Sequence, residues 1–263
     1  METSLHRTLK ERYAAGGSGR PEVVVERFRV DAVDESGRLV EVQSGALGPL
    51  RGKLRRLLPE HRIRIVKPVV LKRRVVRKSR REGPVLSARF SPKRGALLDI
   101  FDDLIGMVRV FPHCNLEIDV LGVAIEEIRI PRRRWPGYRV ADRCLSEIHE
   151  SATLIKAGDL WALLPGNCNG HEPFTTHDLS LKLDRPLAFA QRVAYCLRLT
   201  GAARVVGKTG NRLVYMREST GLSLTSVIDG GGIIRAKDVR GKAPDEPVDA
   251  LVSKTEPRMA ARE

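Results

Sequence analysis

The sequence predicts a mixed α/β domain followed by a smaller, mainly helical domain. Alternating apolar segments and amphipathic segments follow one another through the first 130 residues. From residue 158 to residue 200, apolar residues recur at helical spacing instead. A chain of 263 residues is long enough for one large domain or two modest ones. We therefore predict a first domain over residues 1–130, a basic connector over 131–150 and a second domain over 151–217.

The first predicted elements are a helix and a strand. Leu5, Leu9 and Tyr13 recur at positions i, i+4 and i+8, which predicts a helix over residues 3–13. Glu2 lies at the start of this helix, where the helix dipole alone favours a carboxylate. The sequence EVVVE at residues 22–26 predicts the first strand.

The segment from Arg27 to Ser44 predicts a hairpin that carries acidic residues. Two alternating runs flank the turn sequence DESG. Asp31 interrupts the first run, and Glu41 and Gln43 lie two apart on the second, so they share one face. Hard carboxylate oxygens suit Mg²⁺ or Mn²⁺, so these residues predict a divalent-metal site. An acidic hairpin that merely faces solvent is the alternative.

The rest of the first domain continues with helices and strands. Pro49 suits the first turn of a helix that ends before Pro59, and a strand is predicted over 62–71 with Pro68 at an edge or bend. Another helix begins near Ser91, and residues 116–130 predict a long strand or two. Residues 72–81 hold seven positive charges, which predicts a phosphate-contacting surface, although charge runs are often only solvated.

The second half is predicted to be helical. Residues 132–139, RRRWPGYR, combine arginines with two aromatic residues, which suits either stacking on nucleic acid or packing in a linker. Helices are predicted over 142–156, 158–164, 174–183 and 186–200, followed by a hairpin at 204–216. Residues 218–263 lack a strong period and predict a largely disordered tail.

The composition favours a polyanionic partner. The net charge of +15 and the isoelectric point near 10.2 indicate nucleic acid first and an anionic membrane second. No apolar run approaches the roughly 20 residues of a spanning helix. Four cysteines without paired spacing and the lack of a secretory signal indicate a cytoplasmic protein. The sequence leaves open whether the protein forms a homodimer.

The order of the first elements resembles the PD-(D/E)xK nuclease superfamily. The matching residues are Glu2 on a helix, Asp31 on one strand and Glu41-x-Gln43 on the next. The resemblance implies a restriction-endonuclease-like mixed sheet flanked by helices, and a metal-dependent DNA endonuclease. It implies that Glu2, Asp31 and Glu41 bind Mg²⁺ or Mn²⁺ and that Asp31, Glu41 and Gln43 are catalytic. Gln43 replaces the usual lysine, so an inactive nuclease-fold protein that binds DNA or regulates is the alternative, and Lys53 is a candidate to assist.

The second domain resembles a winged helix, which implies DNA binding, although some winged helices bind proteins. The resemblance implies base or backbone contacts from the third helix and phosphate contacts from the wing. The residues predicted to contact DNA in the two domains are Lys53, Lys72, Arg73, Arg74, Arg77, Arg185, Gln191, Arg192, Lys208 and Arg212.

Overall fold

A seven-stranded mixed sheet is the centre of the fold. The computed structural model describes residues 2–14, 20–168 and 172–218. The sheet order is β1-β2-β3-β4-β6-β7, and β5 pairs with β4. Strands β1, β2 and β3 are antiparallel, β4 is parallel to both β3 and β6, and β7 is antiparallel to β6. This is a mixed α/β fold with helices flanking a large sheet, as the sequence predicts.

The elements of the sheet region follow the predicted order through β4. They are α1 (Ser4–Ala14), β1 (Arg20–Val25), β2 (Phe28–Val33), β3 (Leu39–Val42), α2 (Arg51–Leu57) and β4 (Ile63–Lys78). Next come β5 (Val85–Phe90), α3 (Phe101–Leu104), β6 (Leu116–Pro131) and β7 (Tyr138–Leu154). Short 3-10 turns at Gly48–Leu50 and Leu97–Ile100 lead into α2 and α3. The basic run at residues 72–81 largely continues β4.

One helix prediction is wrong, because residues 142–156 are mostly strand β7. One β-bulge, at the register shift between Ala124 and Ile125, explains the helical spacing. Leu145 pairs with Ile125, and Ile148 pairs with Val123. Val123 and Ile125 are two residues apart on β6, whereas Leu145 and Ile148 are three residues apart on β7. An extra residue between them places both side chains on one face, which imitates a helix period. The segment predicted as a connector, 131–150, thus contributes most of an edge strand.

The described C-terminal part contains helices and a small sheet. Its elements are a 3-10 helix (Ala157–Leu163), a 3-10 turn (Gly166–Cys168), β8 (Phe174–Thr175), α4 (Thr176–Leu183), α5 (Leu187–Leu199), β9 (Ala203–Thr209) and β10 (Arg212–Arg217). Thr175 caps α4 by accepting a hydrogen bond from Asp178 N. The small sheet has the order β8-β10-β9. The predicted helices in this part and the predicted hairpin are confirmed, with the first helix in 3-10 form.

Two apolar cores hold these elements. The smaller core lies between α1 and the sheet and includes Leu5, Leu9 and Val40. The larger core is continuous from the sheet region, where it includes Phe101, to the C-terminal helices, where it includes Trp161. All described residues therefore belong to one compact unit. Within them, no helix is long and apolar enough to cross a membrane. The predicted tail lies outside the described residues beyond residue 218.

Candidate functional site

Asp31 and Glu41 lie on neighbouring antiparallel strands at the β2–β3 hairpin. Ala32 pairs with Val40 and Val33 pairs with Leu39, so Asp31 and Glu41 follow at the next position of this register. Asp31 Oδ2 accepts a hydrogen bond from the Val42 amide at 2.9 Å. The side chains of Asp31 and Glu41 are only 20% and 16% exposed. The hairpin therefore holds two largely buried carboxylates close to each other.

The environment moves the pKa values of these carboxyl groups in opposite directions. Burial raises the pKa of Glu41, the charge of Asp31 adds to this, and Lys53 opposes it. Burial also acts to raise the pKa of Asp31, but hydrogen bonds from His6 and from the Val42 amide lower it overall. Carboxyl pairs with separated pKa values are typical of sites where one group stays ionised and the other handles a proton.

Two residues of α1, His6 and Lys10, and Glu2 just before the helix extend the site. His6 Nε2 lies 3.3 Å from Asp31 Oδ1 and 3.8 Å from Glu2 Oε1. Lys10 Nζ lies 3.1 Å from Glu2 Oε1 and 2.8 Å from Glu22 Oε1. His6 and Lys10 were not among the predicted site residues. The available signal was spacing, because His6 is four residues after Glu2 and Lys10 is four residues after His6, which places His6 and Lys10 on one face of α1.

Lys53 on α2 is the cation that contacts Glu41. Its Nζ lies 2.5 Å from Glu41 Oε2 and also donates to the Arg29 carbonyl. The Lys53 side chain is 15% exposed, so this ion pair is mostly shielded from solvent. The contact places a positive charge beside the Glu-x-Gln motif. It engages Lys53 inside the protein and not on an open DNA-binding surface.

Gln43 lines the same pocket as Glu2, His6, Lys10 and Asp31. The pocket has a volume of about 510 Å³. The Gln43 side-chain nitrogen donates to the Ala46 carbonyl at 2.8 Å. This bond uses one of the two amide hydrogens, and the amide oxygen can accept a hydrogen bond from a water.

The chemistry of the acidic residues suits a hard divalent cation, but the atoms are not gathered around one point. Asp31, Glu41 and Glu2 offer oxygen ligands, which Mg²⁺ and Mn²⁺ prefer. Each carboxylate also has a basic side chain within 4 Å, namely His6 for Asp31, Lys10 for Glu2 and Lys53 for Glu41. Among the described residues, a different group of Glu26, Glu60 and His61 has ligand atoms all within 4.8 Å of one another. Its members lie near the surface, and Arg56 pairs with Glu26 at 2.9 Å.

The predicted DNA-contacting residues of the sheet region divide into paired and open side chains. Arg74 Nη1 lies 2.5 Å from Glu126 Oε1, and Arg73 Nη1 lies 3.5 Å from Glu127 Oε2. Lys72 and Arg77 are exposed. The basic run is therefore partly compensated within the sheet.

In the C-terminal part, two predicted contact residues pair with the sheet region. Arg185 Nη2 lies 3.0 Å from Asp99 Oδ1, and Arg192 Nε lies 2.6 Å from Asp102 Oδ1. The Arg192 pair joins α5 to α3, and the Arg185 pair joins the residues before α5 to the 3-10 turn before α3. The other predicted contact residues of this part are exposed, namely Gln191 on α5 and Lys208 and Arg212 on the β9–β10 hairpin.

Comparison with known proteins identifies relatives without assigning an activity. A protein of Treponema pallidum (strain Nichols), named "Uncharacterized protein", is 33% identical over 163 residues, which is 60% of this chain and 64% of the relative. The chain therefore covers less than two thirds of that relative. The comparison with solved structures gave no significant match. A family described as "Domain of unknown function (DUF8091)" matches residues 3–155, which run from α1 through β7 and include His6, Asp31 and Glu41. The chain belongs to the DUF8091 family.

Proposed function

We propose that this protein is a divalent-metal-dependent hydrolase of DNA phosphodiester bonds, with a PD-(D/E)xK-like core and a C-terminal winged helix. The observation that carries the proposal is the pair of largely buried carboxylates, Asp31 and Glu41, with Lys53 Nζ 2.5 Å from Glu41. Two carboxylates and a lysine ammonium are the group types that phosphodiester hydrolysis requires in such a site.

The order of elements around the carboxylates supports the proposal. Helix α1 precedes three antiparallel strands, α2 follows, and β4 returns parallel to β3. This is the order that the superfamily resemblance implies. Asp31 lies on the second strand, and Glu41 lies on the third, followed by Gln43.

The residues of the site have distinct roles in the proposed reaction. Asp31 and Glu41, supported by Glu2, would hold the metal, which supplies Lewis-acid chemistry and lowers the pKa of a bound water. Lys53 takes the role of the lysine that the motif lacks, because its ammonium lies beside Glu41 and can stabilise negative charge on a phosphate. The Gln43 oxygen accepts a hydrogen bond from the attacking water.

The C-terminal part would position the enzyme on DNA. A 3-10 helix, β8, α4, α5 and the β9–β10 hairpin follow one another in the order of a winged helix. Gln191, Lys208 and Arg212 are exposed and available to DNA. The pairing of Arg185 and Arg192 with Asp99 and Asp102 favours contacts from the hairpin and the open side of α5.

A second candidate function is DNA binding without cleavage. The observation that favours it is the compensation of each acidic residue by His6, Lys10 or Lys53 within the protein. A site stabilised by these ion pairs can persist as a structural element. The winged helix and the basic surface would then carry the function.

Cleavage assays separate the two functions. Linear duplex, branched and single-stranded DNA are incubated with Mg²⁺ or Mn²⁺ and the wild type, Asp31→Asn, Glu41→Gln or Lys53→Met. A matched control is Glu35→Gln, an exposed acid in the β2–β3 turn. We expect cleavage by the wild type and by Glu35→Gln, and a loss of at least 100-fold in the other three, as is typical for a group that stabilises transition-state charge. Absence of cleavage by the wild type, or equal cleavage by all variants, contradicts the hydrolase proposal.

A further inference from the structure

The turn between β6 and β7 presents an exposed tryptophan. Trp135 is 93% exposed, the largest exposed fraction among the large apolar side chains that the structure describes. The turn is closed by hydrogen bonds from Arg132 N to the Gly137 carbonyl at 3.0 Å and from Gly137 N to the Arg134 carbonyl at 2.9 Å. The sequence left open whether this aromatic packs in a linker. Its exposure leaves a large flat apolar surface available to a partner.

Arginines that have no carboxylate partner among the described residues lie close to Trp135 in the sequence. Residues 131–140 include Arg132, Arg133, Arg134 and Arg139 and contain no acidic residue. Considering the described part of the chain, no carboxylate lies within 4 Å of these four guanidinium groups. Guanidinium groups bind phosphate oxygens in a bidentate geometry, and unpaired ones retain this capacity.

The base of the turn is held in place by packing and charge. Pro131 pairs with Tyr138 across the two strands. The Arg129 guanidinium lies 4.0 Å from the centre of the Tyr138 ring, and Arg129 Nη2 lies 2.6 Å from the buried Glu127 Oε1. Tyr138 is thus engaged within the protein. Trp135 is the aromatic side chain that the turn leaves for a ligand.

A basic cleft leads up to this turn. It has a volume of about 550 Å³ and is lined by Arg77, Arg89 and Arg129 from three strands, together with residues 136–138 of the turn. No acidic residue lines it. The cleft therefore extends the positive surface of the turn onto the sheet.

We propose that the β6–β7 turn and the adjacent basic cleft bind single-stranded or branched nucleic acid, with an unpaired base stacked on Trp135. The proposal rests on the proposed function in taking nucleic acid as the partner, and it adds the substrate class. An unpaired base exposes its face to an aromatic ring, whereas a base inside a duplex is already stacked on both sides. An anionic membrane is the less suitable partner, because membrane-surface elements present a wide apolar face and residues 131–137 offer one large apolar side chain.

Intrinsic fluorescence tests the stacking directly, because the chain has only two tryptophans. Trp161 is 1% exposed and serves as an internal reference. The full-length protein is titrated in EDTA with an oligothymidylate single strand, a blunt duplex of equal length, and vesicles of phosphatidylglycerol. We expect quenching by the single strand in the wild type, little quenching by the duplex, and no response in Trp135→Phe, whose remaining emission comes from Trp161. Unchanged wild-type emission with the single strand overturns the proposal. A change in emission with the vesicles but not with the single strand also overturns it.

Affinity measurements complete the test. Trp135→Ala should weaken single-strand binding by about 5- to 150-fold, the range for loss of one stacked base. Phe90→Ala is the matched control, because it removes another exposed aromatic side chain, on β5 of the same sheet. An affinity of Trp135→Ala within about twofold of wild type contradicts the proposal. Single-strand binding that depends on Trp135, without any metal-dependent cleavage, supports this inference and contradicts the hydrolase proposal. Metal-dependent cleavage together with unchanged single-strand binding by Trp135→Ala supports the hydrolase proposal and contradicts this inference.

Discussion

The acidic site, formed by Glu2, Asp31 and Glu41, and the β6–β7 turn use charge in opposite ways. In the acidic site, each carboxylate has a basic side chain of the same chain within 4 Å. In the turn, the described residues supply no carboxylate partner for the arginines, and Trp135 is almost fully exposed. The net charge of +15 is therefore not spread evenly over the surface.

This contrast teaches where the excess charge can act. Shielded ion pairs contribute to the folded state, and removing one partner is costly. Exposed arginines contribute little to the free energy of unfolding, but they attract a polyanion and release its counterions on binding. Substitutions in the acidic site should thus affect the free energy of unfolding and the cleavage rate, and substitutions in the turn should affect nucleic-acid binding.

The largest stability effect is expected at Glu127, a buried acid of β6 that is paired with arginines. Its side chain is 2% exposed and contacts Arg73, Arg129 and Arg143. Glu127→Gln leaves these guanidinium groups without their shared carboxylate, so we expect a loss of about 3 kcal/mol in the free energy of unfolding, measured by urea denaturation. Glu147→Gln, at an exposed acid of β7, is the control and should change it by less than about 0.5 kcal/mol. Equal effects of the two variants would remove the distinction between shielded and open charges.

A somewhat smaller effect is expected for Lys53→Met, which removes the ion-pair partner of Glu41. The variant leaves the Glu41 carboxylate largely buried and without its ion-pair partner, so the free energy of unfolding should fall by about 2 kcal/mol. Adding Glu41→Gln should restore part of this loss, because the unpaired charge is then gone. Arg51→Met, at an exposed position of the same helix, is the control. A double variant no more stable than Lys53→Met would show that Lys53 acts through packing.

The turn should give the reverse pattern. Replacing Arg132, Arg133 and Arg134 together by Gln should change the free energy of unfolding by less than about 0.5 kcal/mol, since these side chains are exposed. The slope of log K against log salt concentration for single-strand binding should become shallower by about 2, because three phosphate contacts are lost. An unchanged slope would exclude the turn from the binding surface. Arg109→Gln, at an exposed position after α3, should leave the slope unchanged.

The smallest effect is a pH dependence at His6. The hydrogen bond to Asp31 raises the pKa of His6, and the nearby Glu2 charge adds to this. The stabilisation is complete below the pKa of histidine in the unfolded chain, about 6.5, and is lost as the pH rises through the higher folded value. In EDTA, the free energy of unfolding of the wild type should fall by up to about 1 kcal/mol relative to that of His6→Asn between about pH 6 and pH 8. A constant difference over this range would contradict a charged His6–Asp31 pair.

The sequence predicted the local parts of this arrangement better than the long-range parts. The β2–β3 hairpin and α1 follow from alternation, turn residues and helical spacing, which are local signals. Strand β7 was predicted as a helix, because a bulge places Leu145 and Ile148 on one face at a spacing that also fits a helix. Only the pairing with β6 decides between the two, and pairing is a tertiary interaction.

The site shows the same limit. Asp31, Glu41 and Gln43 were selected from strand periodicity, and the structure places them at one end of the hairpin. Their basic partners His6 and Lys53 come from helices 25 and 12 residues away, so strand periodicity does not predict which carboxylate each one contacts. The pairing of Arg185 with Asp99 spans 86 residues and was likewise not predictable from spacing.

Metal binding tests the central claim most directly. Mn²⁺ binding to the full-length protein, measured by electron paramagnetic resonance of the free ion, should show a site that Asp31→Asn and Glu41→Gln weaken by at least about 10-fold each. Glu60→Gln and His61→Asn, in the second group of ligand atoms, should leave that site unchanged. Mn²⁺ binding that survives both substitutions in the β2–β3 hairpin, or that depends on Glu60 and His61 instead, would contradict a metal site at Asp31 and Glu41.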